Sequence, residues 1–197
     1  MKIAYQGIAG SYSESCAKEK YPNCETIPCK TFDECFEKAN NDSSVKAIIP
    51  ESNKTTGNIG VEYLIFKYRL NIQGEHFQKI EHKLLGLPES SLSDIKDVFS
   101  HAQGLSQCSD FLKKNNLIGH VRADTAGSAE KISKNKVKSA AAIASSLSAK
   151  IYNLKIIASN IENENLNVTR FLIMGKEILQ PVFGDKKYIT SFLFKLK

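Results

Sequence analysis

The stretch Ile3-Ala4-Tyr5-Gln6-Gly7-Ile8-Ala9-Gly10-Ser11-Tyr12-Ser13-Glu14 decides the fold class. Ile3-Ala4-Tyr5 is a short apolar strand, a glycine-containing loop follows, and Ser11 with Glu14 three residues on is a capping box. The helix it opens runs to about residue 20. A strand handing over to a capped helix is the unit from which α/β sheets are built. The same unit recurs downstream. Glu25-Thr26-Ile27-Pro28 is a second strand, and Thr31-Phe32-Asp33-Glu34 is a second capping box whose helix ends near Asn40. Lys46-Ala47-Ile48-Ile49 is a buried strand closed by Pro50. Residues 51–60 form a polar, glycine-containing loop at the carboxyl end of that strand, where open α/β sheets bind ligands.

Further along, residues 61–68 are predicted as a helix, and 72–77 and 80–86 as extended strands that leave this lobe for a second one. There the pattern repeats. Val98-Phe99 is a strand ending at Ser100, 105–114 a helix and His120-Val121-Arg122-Ala123 a strand. Asp124-Thr125-Ala126-Gly127 turns into a helix over 128–134, a strand at 139–143 and a helix at 145–151 follow, and 155–159 with a polar loop at 160–167 leads back. Residues 168–174 rejoin the first lobe. The predicted architecture is therefore α/β in two lobes, one of about 1–75 plus 160–175 and one of about 76–159, with a cleft between them. Residues 176–187, with Pro181 and Gly184, read as a linker, and 188–197 as a strand.

Composition excludes several function classes. Of 197 residues, 42% are hydrophobic and 24% charged, the balance of an ordinary globular chain. No run approaches the roughly 18 apolar residues of a membrane span, and the N-terminus lacks a signal-peptide core, so the expected location is cytoplasmic. The net charge of +6 comes from scattered residues, with only Lys113-Lys114 and Lys186-Lys187 adjacent. No basic stripe interleaves with aromatics, so nucleic acid is not an expected partner, whereas a mild positive field suits a small anionic substrate. Cys16, Cys24, Cys29, Cys35 and Cys108 are odd in number, form no CxxC pair and read as free thiols. HExxH, HxxxH, GxSxG, Walker and GxGxxG patterns are absent, and no metal or cofactor is expected.

Three polar segments each follow an apolar strand: 52–57, 100–107 and 167–171. Placed at the rim of a sheet, they make an anion pocket furnished with hydroxyl and amide donors.

The order of several short motifs resembles the prephenate dehydratase family over about residues 2–175. Gln6-Gly7-Ile8-Ala9-Gly10-Ser11-Tyr12-Ser13 resembles its first loop, and Ser100-His101-Ala102-Gln103-Gly104-Leu105-Ser106-Gln107-Cys108 its SHPQALxQC segment. Asp124-Thr125-Ala126-Gly127-Ser128-Ala129 is similar to DTAGAA, Ala141-Ala142-Ile143-Ala144-Ser145 to AAIAS, and Asn167-Val168-Thr169-Arg170-Phe171 to NxTRF. The resemblance implies a periplasmic-binding-protein-like (type II) fold of two lobes with the active site in the cleft. It implies loss of carboxylate and ring hydroxyl from prephenate without a cofactor, with Thr169 in the place of the proton donor. Asn53, Ser100 and Gln107 are the other expected catalytic positions, and Ser11, Tyr12, His101 and Thr125 are expected to face substrate. Arg170 is either a carboxylate clamp or an ion-pair partner; strand alternation, which sends neighbours to opposite faces, favours the second. Phe171 then lies on the Thr169 side, where it either walls the pocket or fills core.

One segment departs from the family's P-x-E-N-S-x-x-G. Here Pro50-Glu51-Ser52-Asn53-Lys54-Thr55-Thr56-Gly57 keeps the asparagine but carries Ser52 and Lys54 where the family has glutamate and serine. Ser52 and Lys54 are expected to face substrate, with Lys54 meeting a carboxylate and disfavouring arogenate, whose ammonium it would repel; the alternatives are an arogenate dehydratase or a catalytically impaired small-anion binder of the same fold. The resemblance also implies a homo-oligomer, dimer or tetramer. Residues 188–197 resemble the first strand of an ACT regulatory domain, through which phenylalanine would regulate only where that domain is whole.

Overall fold

Two twisted sheets, each flanked by its own helices, make up the described residues, 1–180, of the computed structural model. The expected strand over 188–197 and most of the expected linker lie outside the described residues. The first sheet contains β1 (Lys2–Gln6), β2 (Glu25–Cys29), β3 (Val45–Asn53), β4 (Gly57–Asn58), β5 (Asn71–Lys79) and β11 (Val168–Gly175). Its helices are α1 (Tyr12–Lys20), α2 (Phe32–Asn41) and α3 (Glu62–Tyr68). The second sheet contains β6 (Lys83–Gly86), β7 (Asp97–His101), β8 (Ile118–Arg122), β9 (Ala140–Ala144) and β10 (Lys155–Ser159). With it go α4 (Ala102–Gln107), α5 (Ser109–Lys114), α6 (Thr125–Asn135) and α7 (Ser146–Ile151).

The strand order is β2-β1-β3-β11-β5 in the first sheet and β8-β7-β9-β6-β10 in the second. Both read alike: second strand, first, third, a strand arriving from the other lobe, then fourth. The arriving strand, β11 or β6, runs antiparallel to both neighbours. This shared order is the type II periplasmic-binding-protein-like topology. The ligand edges of both sheets face one cleft.

The local grammar holds where chemistry dictates it. Ser11 and Thr31 accept hydrogen bonds from the amides of Glu14 and Glu34 and so cap α1 and α2. Ala4, Ala47, Ile49, Phe36 and Leu64 fill one side of the first sheet, and Ile3, Tyr5, Ile48 and Phe171 the other. In β9 the run Ala-Ala-Ala-Ile-Ala is buried on both faces, as a central strand between helix layers must be.

Three elements differ from their sequence expectation. β3 does not stop at Pro50 but continues to Asn53. Proline lacks the amide a ladder needs, yet Pro50 sits where the β3–β11 register shifts between Arg170 and Phe171, a bulge position at which a strand tolerates proline. The helix expected over 105–114 is two helices broken at Cys108, whose φ of −116° and ψ of 18° leave the helical range. The first crossing between lobes falls at residues 80–82 rather than at 76, because β5 extends to Lys79.

The crossings run side by side. Ile80 N donates to Asn167 O (2.8 Å), and Ile161 N to His82 O (3.2 Å). His82 N donates to Glu162 Oε2 (2.9 Å). On the loop before α1, Gly10 has φ +89°, and a Cβ there would lie 2.5 Å from Ser148 Oγ of the opposite lobe. Its carbonyl accepts from Ser145 Oγ (2.6 Å) and Ser148 Oγ (2.8 Å), so only glycine lets the lobes approach this closely.

Candidate active site

The cleft between the lobes has a volume of about 990 Å³, ample for a small ligand. Ser11 and Tyr12 reach it from α1, Asn53 from the end of β3, and Thr169 and Phe171 from β11. His101, Gln107 and Thr125 face them from the second lobe. These eight are the sequence-predicted residues that the fold brings together. The charged residues lining the same space are Lys30, Glu34 and Asp124.

Thr169 and Asn53 are cross-strand partners on β11 and β3. Asn53 Nδ2 donates to Thr169 Oγ1 and to Asn167 Oδ1, both at 2.8 Å. The orientation of this amide is fixed by its other end. Asn53 Oδ1 accepts from the backbone amides of Thr55 (2.9 Å) and Thr56 (3.3 Å), which can only donate, so the nitrogen must face Thr169. Asn53 and Thr169 are 6% and 7% exposed, so little water competes for these bonds. The Thr169 hydroxyl thus accepts one bond, and its own proton has no acceptor among the described residues.

Across the cleft mouth, Gln107 Nε2 donates to Thr55 Oγ1 (2.8 Å) and Gln103 Nε2 to Thr56 Oγ1 (3.0 Å), tying α4 to the turn after β3. His82, on the first crossing, also lines the cleft. Its Nδ1 lies 2.7 Å from Tyr12 Oη and its Nε2 2.8 Å from Gln107 Oε1. Burial holds the His82 imidazole below the usual histidine range, and burial likewise pushes the Tyr12 phenol well above the usual tyrosine value. Ser11 caps α1 while facing the cleft. His101 caps α4 through Nδ1, which accepts from Gln103 N (3.3 Å). Thr125 opens α6 behind the Asp124 cap. Phe171, 2% exposed, packs against Ile3, Tyr5 and Ile48 as it walls the pocket.

Four expected site residues lie elsewhere. Ser100 is fully buried and its hydroxyl donates to Ile143 O (2.8 Å), so it joins β7 to β9 and does not line the cleft. Ser52 alternates away from Asn53 along β3, and its hydroxyl donates to Glu51 Oε2 (2.6 Å). Arg170, opposite Ser52 in the register, shares that outward face. Its Nε donates to Glu75 Oε2 (2.8 Å) and Nη1 lies 3.5 Å from Glu51, so it is an ion-pair partner and not a substrate clamp. Lys54 is exposed at the turn after β3 and absent from the cleft lining. Lys54→Ser is therefore expected to leave KM for an anionic substrate, and its salt dependence, unchanged in steady-state kinetics; a rise in KM would return Lys54 to the site.

The sequence did not single out His82, which carries no motif, or Thr55, which fills an unspecified position of the Pro50–Gly57 segment. His82 falls inside the segment 80–86 that the sequence reads as one extended strand, and only the structure separates residues 80–82 from β6 as the crossing between lobes.

Comparison with known proteins gives one family. The model described as "Prephenate dehydratase" matches residues 3–178. A relative from Arabidopsis thaliana, named arogenate dehydratase/prephenate dehydratase 2, chloroplastic, is 39% identical over 198 residues, covering all of this chain and 52% of the relative. The chain spans about half the length of the curated relatives it matches. Among solved structures, one titled GqqA, a novel type of quorum quenching acylase, superposes with a TM-score of 0.86 at 32% identity, covering 93% of this chain and 67% of that one. The prephenate dehydratase from Staphylococcus aureus superposes at 0.77 with 26% identity, covering 91% and 67%.

Proposed function

The chain belongs to the prephenate dehydratase family, and we propose that its interlobe cleft converts prephenate to phenylpyruvate, carbon dioxide and water, with Thr169 as the proton donor. In this reaction the bond between ring and carboxylate breaks, its electron pair enters the ring, and the ring hydroxyl departs at the opposite carbon as water. Aromatisation supplies the driving force. The protein must protonate the leaving oxygen, hold the substrate's two carboxylates and limit water.

The observation that carries this reading is the state of the Thr169 hydroxyl: it accepts from Asn53 Nδ2 at 2.8 Å and keeps its proton for the cleft. Threonine is a weak acid in water. A fixed donor on its oxygen stabilises the negative charge that grows as the proton leaves, and the cost of orienting that donor is met in folding rather than during the reaction. Lys30, Ser11 and Thr125 line the same cleft and supply a charge and hydroxyls for the carboxylates.

Arogenate, which carries an ammonium where prephenate has a keto oxygen, is the second reading. Relatives at 39% to 41% identity bear its name, and the acidic residues Glu34 and Asp124 border the cleft, where negative charge suits an ammonium. Turnover of the two substrates, followed as phenylpyruvate and as phenylalanine, decides between them by kcat/KM. Formation of phenylpyruvate from prephenate at the higher kcat/KM is expected; no product from either substrate overturns the reading.

A further inference from the structure

Backbone chemistry fixes the proton positions of a hydrogen-bond chain that crosses the cleft. The Thr55 and Thr56 amides set Asn53 with its nitrogen toward Asn167, so Asn167 Oδ1 is an acceptor there and its Nδ2 must face Gln107. That Nδ2 lies 3.2 Å from Gln107 Oε1, so the Gln107 oxygen receives it and Gln107 Nε2 donates to Thr55. His82 Nε2, 2.8 Å from the same Oε1, meets an oxygen that can only accept and must carry a proton. A neutral ring protonated at Nε2 bears a lone pair on Nδ1. At 2.7 Å from it, Tyr12 is then the donor, its proton is spent on His82, and its oxygen lone pairs are what it offers the cleft.

The chain also passes through both lobe crossings. His82 stands on the first and Asn167 at the end of the second, and both donate to the one Gln107 oxygen. From there Thr55 and Asn53 lead to the Thr169 hydroxyl.

We propose that His82 is a positioning residue: its Nε2-protonated form holds Gln107 at the crossing of the lobes and turns the Tyr12 oxygen, as an acceptor, toward a hydroxyl or ammonium group of the substrate. The kinetic consequence rests on the dehydratase reading; the proton placement does not. A second proton on the ring would occupy Nδ1, reverse the bond and turn the Tyr12 proton away, toward Glu81 O at 3.3 Å or into the cleft. The charged and titratable groups facing the pair are Glu162 of the second crossing, which favours that proton, and Glu81 and Cys108 beside Tyr12. Burial opposes the proton more strongly, so the neutral form persists until pH falls below the ordinary histidine value of about 6.5. Activity supported by neutral His82 is present above that value and is lost as pH falls through the lowered one.

Two kinds of measurement test this. In nitrogen-15 spectra of the ligand-free protein, His82 is expected to show a protonated Nε2 and a bare Nδ1, and Tyr12→Phe is expected to raise its pKa, because the donor that favours the neutral ring is gone. A proton on Nδ1, or an unmoved pKa in Tyr12→Phe, overturns the proposal. These readings need no substrate, so inactivity of the wild type would count against the dehydratase reading alone. In kinetics, His82→Asn is expected to lower kcat/KM on the order of 10- to 100-fold. His82→Gln, whose amide can still reach Gln107, should recover part of that loss and lack the acid limb of the wild-type pH profile. Adding Tyr12→Phe to His82→Asn should cost less than it does alone. Wild-type rates in both His82 variants, or an unchanged acid limb in His82→Gln, overturn the proposal.

Discussion

Thr169→Ala is expected to lower kcat for prephenate dehydration by about 10² to 10⁴, the usual worth of a general acid. KM should change little, because the lost bond matters most as the carbon–oxygen bond breaks. Thr169→Ser keeps the hydroxyl and the Asn53 bond and should retain part of the rate; without the methyl group the oxygen is less firmly held. An alanine variant that turned over like the wild type would remove Thr169 from the mechanism. Its side chain is nearly buried, and alanine leaves a small space beside Asn53 rather than a broken fold, so the rate loss should appear in a folded protein.

Asn53→Asp is expected to cost nearly as much, on the order of 10² in kcat, for a different reason. The shape is kept, and the oxygen that serves the Thr55 and Thr56 amides remains. What changes is the group facing Thr169. A carboxylate cannot donate, so the Thr169 hydroxyl would turn its proton to the new acceptor and away from the cleft, and Asn167 Oδ1 would face a negative charge at the present 2.8 Å contact. Asn53→Ala is a useful contrast. It also removes the oxygen that accepts from the Thr55 and Thr56 amides, but both residues are exposed to water and Thr56 N keeps the Asn53 carbonyl at 3.3 Å, so neither amide is left buried and unpaired. Kinetics should therefore group the two variants, because neither presents a donor to the Thr169 oxygen. Full activity in Asn53→Asp would show that the direction of the Thr169 proton is not set by this amide.

Much of this was legible in the sequence because its signals are local. Ser11, Thr31 and Asp124 cap helices by chemistry that spans three or four residues, and the buried strands announce themselves as apolar runs. Thr169, Phe171, Gln107 and Tyr12 reached the cleft as the motif order implied. The failures have a common cause. Ser52, Lys54 and Ser100 stand at motif positions, whereas strand alternation and burial decide which face a side chain takes. Ser100 lies near the carboxyl end of β7, where a hydroxyl could face the cleft, and only the pairing of β7 with β9 shows that hydroxyl bonded to Ile143 O. His82 was invisible for the converse reason: it acquires its partners, Tyr12 and Gln107, only once the two lobes are brought together.

The central claim is that the Thr169 hydroxyl hands its proton to the oxygen that leaves. A crystal structure of the Thr169→Ala protein with prephenate bound tests it most directly. Superposed on the wild-type side chain, the ring hydroxyl of prephenate should lie within hydrogen-bonding reach of the Oγ1 position, about 2.6–3.2 Å, on the side away from Asn53 Nδ2. A substrate whose ring hydroxyl lies instead against His101 or Thr125, out of reach of position 169, would contradict the account.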